Sequence, residues 1–80
     1  MDIVRHPMTL SQLPTMKWGQ VIGLPTAQLT FRRLAAYGIL PGVMVRVERR
    51  VPTLIIQVGA MRIALDRQVA EGIKVQLTNH

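Results

Sequence analysis

The sequence predicts a small, mainly β domain: five short strands close into a barrel, with a short helical insert after the first strand and helical turns elsewhere. Three observations carry this expectation. Segments of alternating apolar and polar residues recur at strand length. Two of these segments are separated only by Gly59-Ala60, which fits a two-residue hairpin turn. The stretch between the first and second strands has helical spacing and ends on a cluster of stop signals. Five strands in an 80-residue chain hide their edges best by closing on themselves.

Residues 1–8 read as a flexible N-terminal arm and 9–80 as a single domain. Thr9-Leu10-Ser11-Gln12 has capping-box spacing, with Met8 and Leu13 placed for a hydrophobic staple. Pro14 limits that helix to one turn. Residues 17–24 read as the first strand, weakened by Gly19 and Gly23 and stopped by Pro25. Residues 30–37 read as a short helix, with Phe31, Leu34 and Ala35 on its core face and Arg32 and Arg33 pointing elsewhere. Gly38 suits the left-handed position beyond the helix, and Ile39 falls where a Schellman motif places its contact with Leu34. Pro41-Gly42 then occupies the centre of a type II turn.

Val43, Val45 and Val47 alternate with Met44, Arg46 and Glu48 as a half-buried strand, with Arg46, Glu48 and Arg50 on the outer face. The hairpin register pairs Val58 with Met61, Ile56 with Ile63 and Leu54 with Leu65 on one face. Gln57 with Arg62 and Ile55 with Ala64 fall on the other. Asp66 caps a helical turn through Ala70, Gly72 ends it, and residues 73–77 form the last strand. A helical turn between the fourth and fifth strands is the layout of SH3-like barrels.

Composition narrows the function. No cysteine is present, which excludes disulfides, thiolate metal sites and cysteine nucleophiles. The opening residues, with Asp2, Arg5, His6 and Pro7, lack the apolar run of a signal peptide. The apolar stretches 38–45 and 51–58 are too short to span a bilayer. A soluble, cytoplasmic protein without direct membrane insertion is expected. The net charge of +6 favours acidic partners.

Against this frame, the run Arg33-Leu34-x-x-Tyr37-Gly38-Ile39-x-Pro41-Gly42-x-x-Val45-x-Val47 resembles the FeoA family, ferrous iron transport protein A. So does Ile63-Ala64-Leu65-Asp66-Arg67-x-x-Ala70-x-x-Ile73-x-Val75, and Leu10-x-x-Leu13 with Gly19-Gln20 keeps the family spacing. The resemblance covers residues 9–77. It implies an SH3-like barrel acting as a non-catalytic accessory or regulator of ferrous iron uptake, through protein contact with FeoB, a membrane transporter with a GTP-binding domain. Two departures stand out: Tyr37 where the family more often has Leu, and a short connection over residues 49–53.

No catalytic site, cofactor or metal site is expected. His6 and His80 lie near opposite termini, the four carboxylates are scattered, and Pro7 opposes a helix that would bring Asp2 to His6. Weak metal binding shared between two chains, and a homo-oligomer, stay open. The aromatic-lined groove of a proline-rich-peptide binder is missing, with only Trp18, Phe31 and Tyr37 to build it. The rival reading is a small basic barrel binding nucleic acid, with Arg32, Arg33, Arg46, Arg50 and Arg62 tracking phosphates. Few stacking aromatics accompany them. Metal-dependent repressors end in a similar barrel but add a DNA-binding head for which 80 residues leave no room. The expected partner-binding residues are Arg32, Arg33, Tyr37 and Leu40, with Ile55 as a further exposed apolar residue.

Overall fold

The computed structural model describes residues 7–78. Strand β1 (Met8–Thr9) runs into a 3-10 turn (Leu10–Gln12), followed by β2 (Trp18–Gly23) and helix α1 (Gln28–Ala36). Next come β3 (Met44–Arg49), β4 (Leu54–Val58), β5 (Met61–Leu65), helix α2 (Arg67–Glu71) and β6 (Lys74–Leu77). The strands form one antiparallel sheet in the order β1-β6-β2-β3-β4-β5. The fold is the mainly β, SH3-like architecture that the alternation predicts. The added sixth strand is two residues long, because the extended backbone of the cap residue Thr9 (φ −83°, ψ 157°) lets it and Met8 pair with β6.

The inner face of the sheet builds one core. Val21, Val45, Val47, Ile56, Ile73 and Val75 are fully buried, joined by Leu10 and Leu13 from the segment before β2 and by Leu34 of α1. No polar or charged residue among those described is buried. The 3-10 turn and α2 pack together, so the two ends of the sheet are bridged through these short helical pieces.

The hairpin has the register that its alternation requires, from Leu54 opposite Leu65 to Val58 opposite Met61. Gly59 adopts φ +60°, as the first central position of a type II′ turn demands. Met61 is on the core-facing side but sits at the hairpin tip, beyond the reach of the core, and is 51% exposed. Helix α1 ends in a Schellman motif: the Ile39 N–H donates to the Leu34 carbonyl at 2.9 Å and the Gly38 N–H to that of Ala35 at 2.9 Å. Gly38 stands at φ +84°, and both Ile39 and Leu34 are buried. The Val43 N–H closes the following turn on the Leu40 carbonyl at 3.1 Å, and the Gly42 N–H reaches the Val21 carbonyl at 2.7 Å. The corner is therefore fastened to β2.

Three details depart from expectation. Helix α1 starts at Gln28, before the expected residue 30, because Gln28 and Leu29 are good helix formers once the chain has passed Pro25. Phe31 is 42% exposed; α1 rests on the barrel along a single line, and Leu34 is its only buried residue. A register shift between Val47 and Arg49 puts Arg49 opposite Ile55 and turns the chain after it. Arg50 consequently leaves the outer face expected for it. Its guanidinium donates to the carbonyls of Ser11 and Leu13, while Arg67 donates to the carbonyl of Arg50. These two arginines tie α2, the β3–β4 connection and the 3-10 turn into one unit. The expected arm over 1–8 lies outside the described residues except for Pro7 and Met8.

Candidate partner-binding surface

With only Leu34 buried, most of α1 faces outward. Leu29, Arg33 and Tyr37 follow one another at i, i+4 spacing along one side of the helix and its cap. They form one wall of a cleft of about 160 Å³; Ala64, Asp66 and Val69, from the end of β5 and from α2, line the other. Leu34 and Leu65, both nearly covered, lie at its base. Leu29 is 80% exposed, the highest value among the described large apolar residues. The Asp66 carboxylate is occupied as the cap of α2, accepting from the Gln68 N–H at 2.7 Å.

Of the four residues expected at a partner surface, the structure brings Arg33 and Tyr37 together in this cleft. Arg32, one residue earlier on α1, and Leu40, on the turn and 39% exposed, flank it without lining it. Ile55 stands across from Ala64 but lines a separate groove with Glu48, Arg49 and Arg62. Sequence reasoning missed Leu29, Ala64 and Val69. A helix begun at Gln28 would have put Leu29 in line with Arg33 and Tyr37, whereas nothing local announces Ala64 or Val69.

The outer face of the sheet is organised differently. Glu48, only 16% exposed at its side chain, accepts from Arg62 Nε at 2.6 Å and pairs with Arg46 Nη2 at 3.4 Å. Arg46 also donates to Gln57 Oε1 at 2.6 Å and lies 5.0 Å from the centre of the Trp18 ring. The hydrogen bond from Arg62 is the main cause holding the Glu48 carboxyl below its ordinary range, against the opposing effect of burial. Arg46 and Arg62 thereby share a single carboxylate that offsets one of their two charges, and Arg50 donates to backbone carbonyls. Of the five arginines that could have tracked phosphates, only Arg32 and Arg33 have neither a described acid nor a described carbonyl as partner. Among the described residues no three His, Cys, Asp or Glu side chains converge on a metal-sized site. His6, His80 and Asp2 lie outside the described residues. No described helix is long and apolar enough to cross a membrane.

Comparison with known proteins gives this geometry its setting. No curated protein sequence matches the chain. The crystal structure of Stenotrophomonas maltophilia FeoA complexed with zinc, described as a prokaryotic SH3 domain protein, is 32% identical. The match covers 85% of this chain and 88% of that one, with a TM-score of 0.75. The solution structure of Chlorobium tepidum FeoA is 27% identical over 90% of this chain and 71% of that one, with a TM-score of 0.83. The T. acidophilum IdeR structure superposes with a TM-score of 0.84 at 18% identity, over 98% of this chain and 37% of that one, and so shares the fold. Residues 8–77, nearly the whole described chain, match the FeoA domain. The chain belongs to the FeoA family, which is associated with ferrous iron transport.

Proposed function

We propose that this protein is a non-catalytic cytoplasmic accessory of bacterial ferrous iron uptake. It acts by contact with a FeoB-like membrane transporter, and Arg32, Arg33, Tyr37 and Leu40 belong to the contact surface. The observation that carries the reading is the α1 corner. It is exposed and partly apolar, and the Schellman motif, the type II turn and the Gly42–Val21 hydrogen bond hold its backbone in place. A surface already ordered loses little entropy on binding. Arg32 and Arg33 beside it steer an acidic partner by long-range attraction.

The test compares Tyr37→Ala and Leu40→Glu in pull-downs with the transporter's cytoplasmic region, alongside thermal melts. Lost capture with an intact melt supports the reading, and undiminished capture by both folded variants overturns this surface. Nucleic-acid binding is disfavoured by the engagement of Arg46, Arg50 and Arg62. Micromolar or tighter, sequence-selective binding to DNA or RNA near physiological salt would reverse that judgement.

A further inference from the structure

We infer that the cleft between α1 and the β5–α2 corner is a socket for one apolar side chain carried beside a carboxylate, supplied by an acidic segment of a partner protein. The proposal rests on the accessory reading only for the partner's identity; the chemistry of the socket is argued from the cleft itself. Its volume of about 160 Å³ is close to the ~150 Å³ apolar cavity that admits a benzene ring. One leucine- or phenylalanine-sized group fits it, and a folded domain does not. Leu29, Val69 and Ala64 supply apolar walls, so such a group loses water on entry.

The charge at the mouth selects the neighbour of that group. Arg33 lines the cleft and meets no described acid within ion-pair distance. Its guanidinium is therefore available for a two-pronged contact with a carboxylate. Asp66 on the opposite wall is held by the α2 backbone and repels a second acid, which restricts the incoming charge to the Arg33 side. A second copy of this chain is a poor occupant. The chain carries a net charge of +6, Glu48 is shared by two arginines and Asp66 is a cap, leaving Glu71 alone among the described acids. The socket thus fits an acidic partner.

Two measurements test it on the full chain. In the first, N-acetyl-leucine is titrated against the labelled protein and amide shifts are followed by NMR, with N-acetyl-leucinamide as the uncharged control. Shifts confined to Leu29, Arg33, Ala64 and Val69, saturating in the millimolar range expected of so small a probe and much reduced with the amide, support the socket. No shift at these residues, or equal shifts with both probes, overturns it. In the second, Ala64→Phe fills the cleft from its rim and Arg33→Glu reverses its charge. Each is expected to weaken binding of the transporter's cytoplasmic region roughly 10-fold or more at an unchanged melting temperature. Leu29→Ser serves in place of Ala64→Phe should that variant melt early, since Leu29 is almost fully exposed. Wild-type affinity in the folded variants overturns the socket while leaving the accessory reading standing. Absence of any binding by the wild-type protein overturns the accessory reading, and the N-acetyl-leucine titration then decides the socket alone.

Discussion

The outer face of strands β2–β5 and the exposed side of α1 both carry arginines, yet the two regions differ in what those arginines are free to do. Over the sheet, Arg46 and Arg62 converge on one half-buried glutamate, and Arg46 also engages Gln57 and the Trp18 ring. On α1, Arg32 and Arg33 stand beside exposed apolar side chains with no described acid in range. Counting positive residues gives the two regions similar weight; following their hydrogen bonds does not. A guanidinium already paired must give up those contacts before it can bind anything else. A free one has no such cost.

Three substitutions measure this difference, and a core truncation sets the scale. Ile63→Ala removes a buried side chain opposite Ile56 and should cost about 2–5 kcal/mol in chemical denaturation. A loss below about 1 kcal/mol would mean the hairpin is not packed as described. Arg50→Ala comes next. It strips a charged donor from the Ser11 and Leu13 carbonyls, and a loss of about 1.5–3 kcal/mol is expected. An effect as small as that of an ordinary surface substitution would return Arg50 to the class of solvated basic residues.

Glu48→Gln tests the paired face through pH. The Arg62 hydrogen bond lowers the Glu48 pKa in the folded protein, so its contribution is fully present above the unfolded-state value of about 4.3. That contribution is lost as the pH falls through the lowered folded value. Wild-type stability should therefore drop more steeply than that of Glu48→Gln in acid below about pH 4.3, and the two should run parallel above about pH 6. Parallel curves throughout would show that the pair is not coupled to folding. Arg33→Ala should change stability least, by less than about 0.5 kcal/mol, since no described acid in the fold depends on it. A larger loss would place Arg33 among the structural arginines and erase the distinction.

What was legible in the sequence follows from the range of the interactions involved. The β4–β5 hairpin could be read to the residue, because a two-residue turn and a period of two leave a single register that keeps Ile56 and Ile63 on the same side. The α1 stop was legible for a similar reason: Leu34, Gly38 and Ile39 interact within one turn. The position of Arg50 was not legible. It depends on the bulge after Val47, which arises from pairing with β4, and on carbonyls almost forty positions earlier in the chain. Phe31 was misjudged because helical periodicity identifies an apolar face but not how much of it a nine-residue helix can lay on a small barrel. Arg33 and Tyr37 could be paired from spacing alone. Their opposite wall at Ala64 and Val69 exists only once α1, β5 and α2 are placed in space.

The strand order leaves β5 as the outermost member of the sheet on one side, hydrogen-bonded only to β4. From Leu54 to Leu65 the chain is apolar or small apart from Gln57 and Arg62, and Arg62 alone carries charge. Before the chain folds, such a stretch matches the composition of segments that zip into cross-β stacks. One cationic side chain midway along this edge strand makes in-register stacking of identical copies repulsive, because each added copy brings a like charge about 4.8 Å from the last. After folding, the same side chain turns to Glu48. Arg62 thus places the one charge of this segment where gatekeeper residues act, and supplies an ion pair in the folded state.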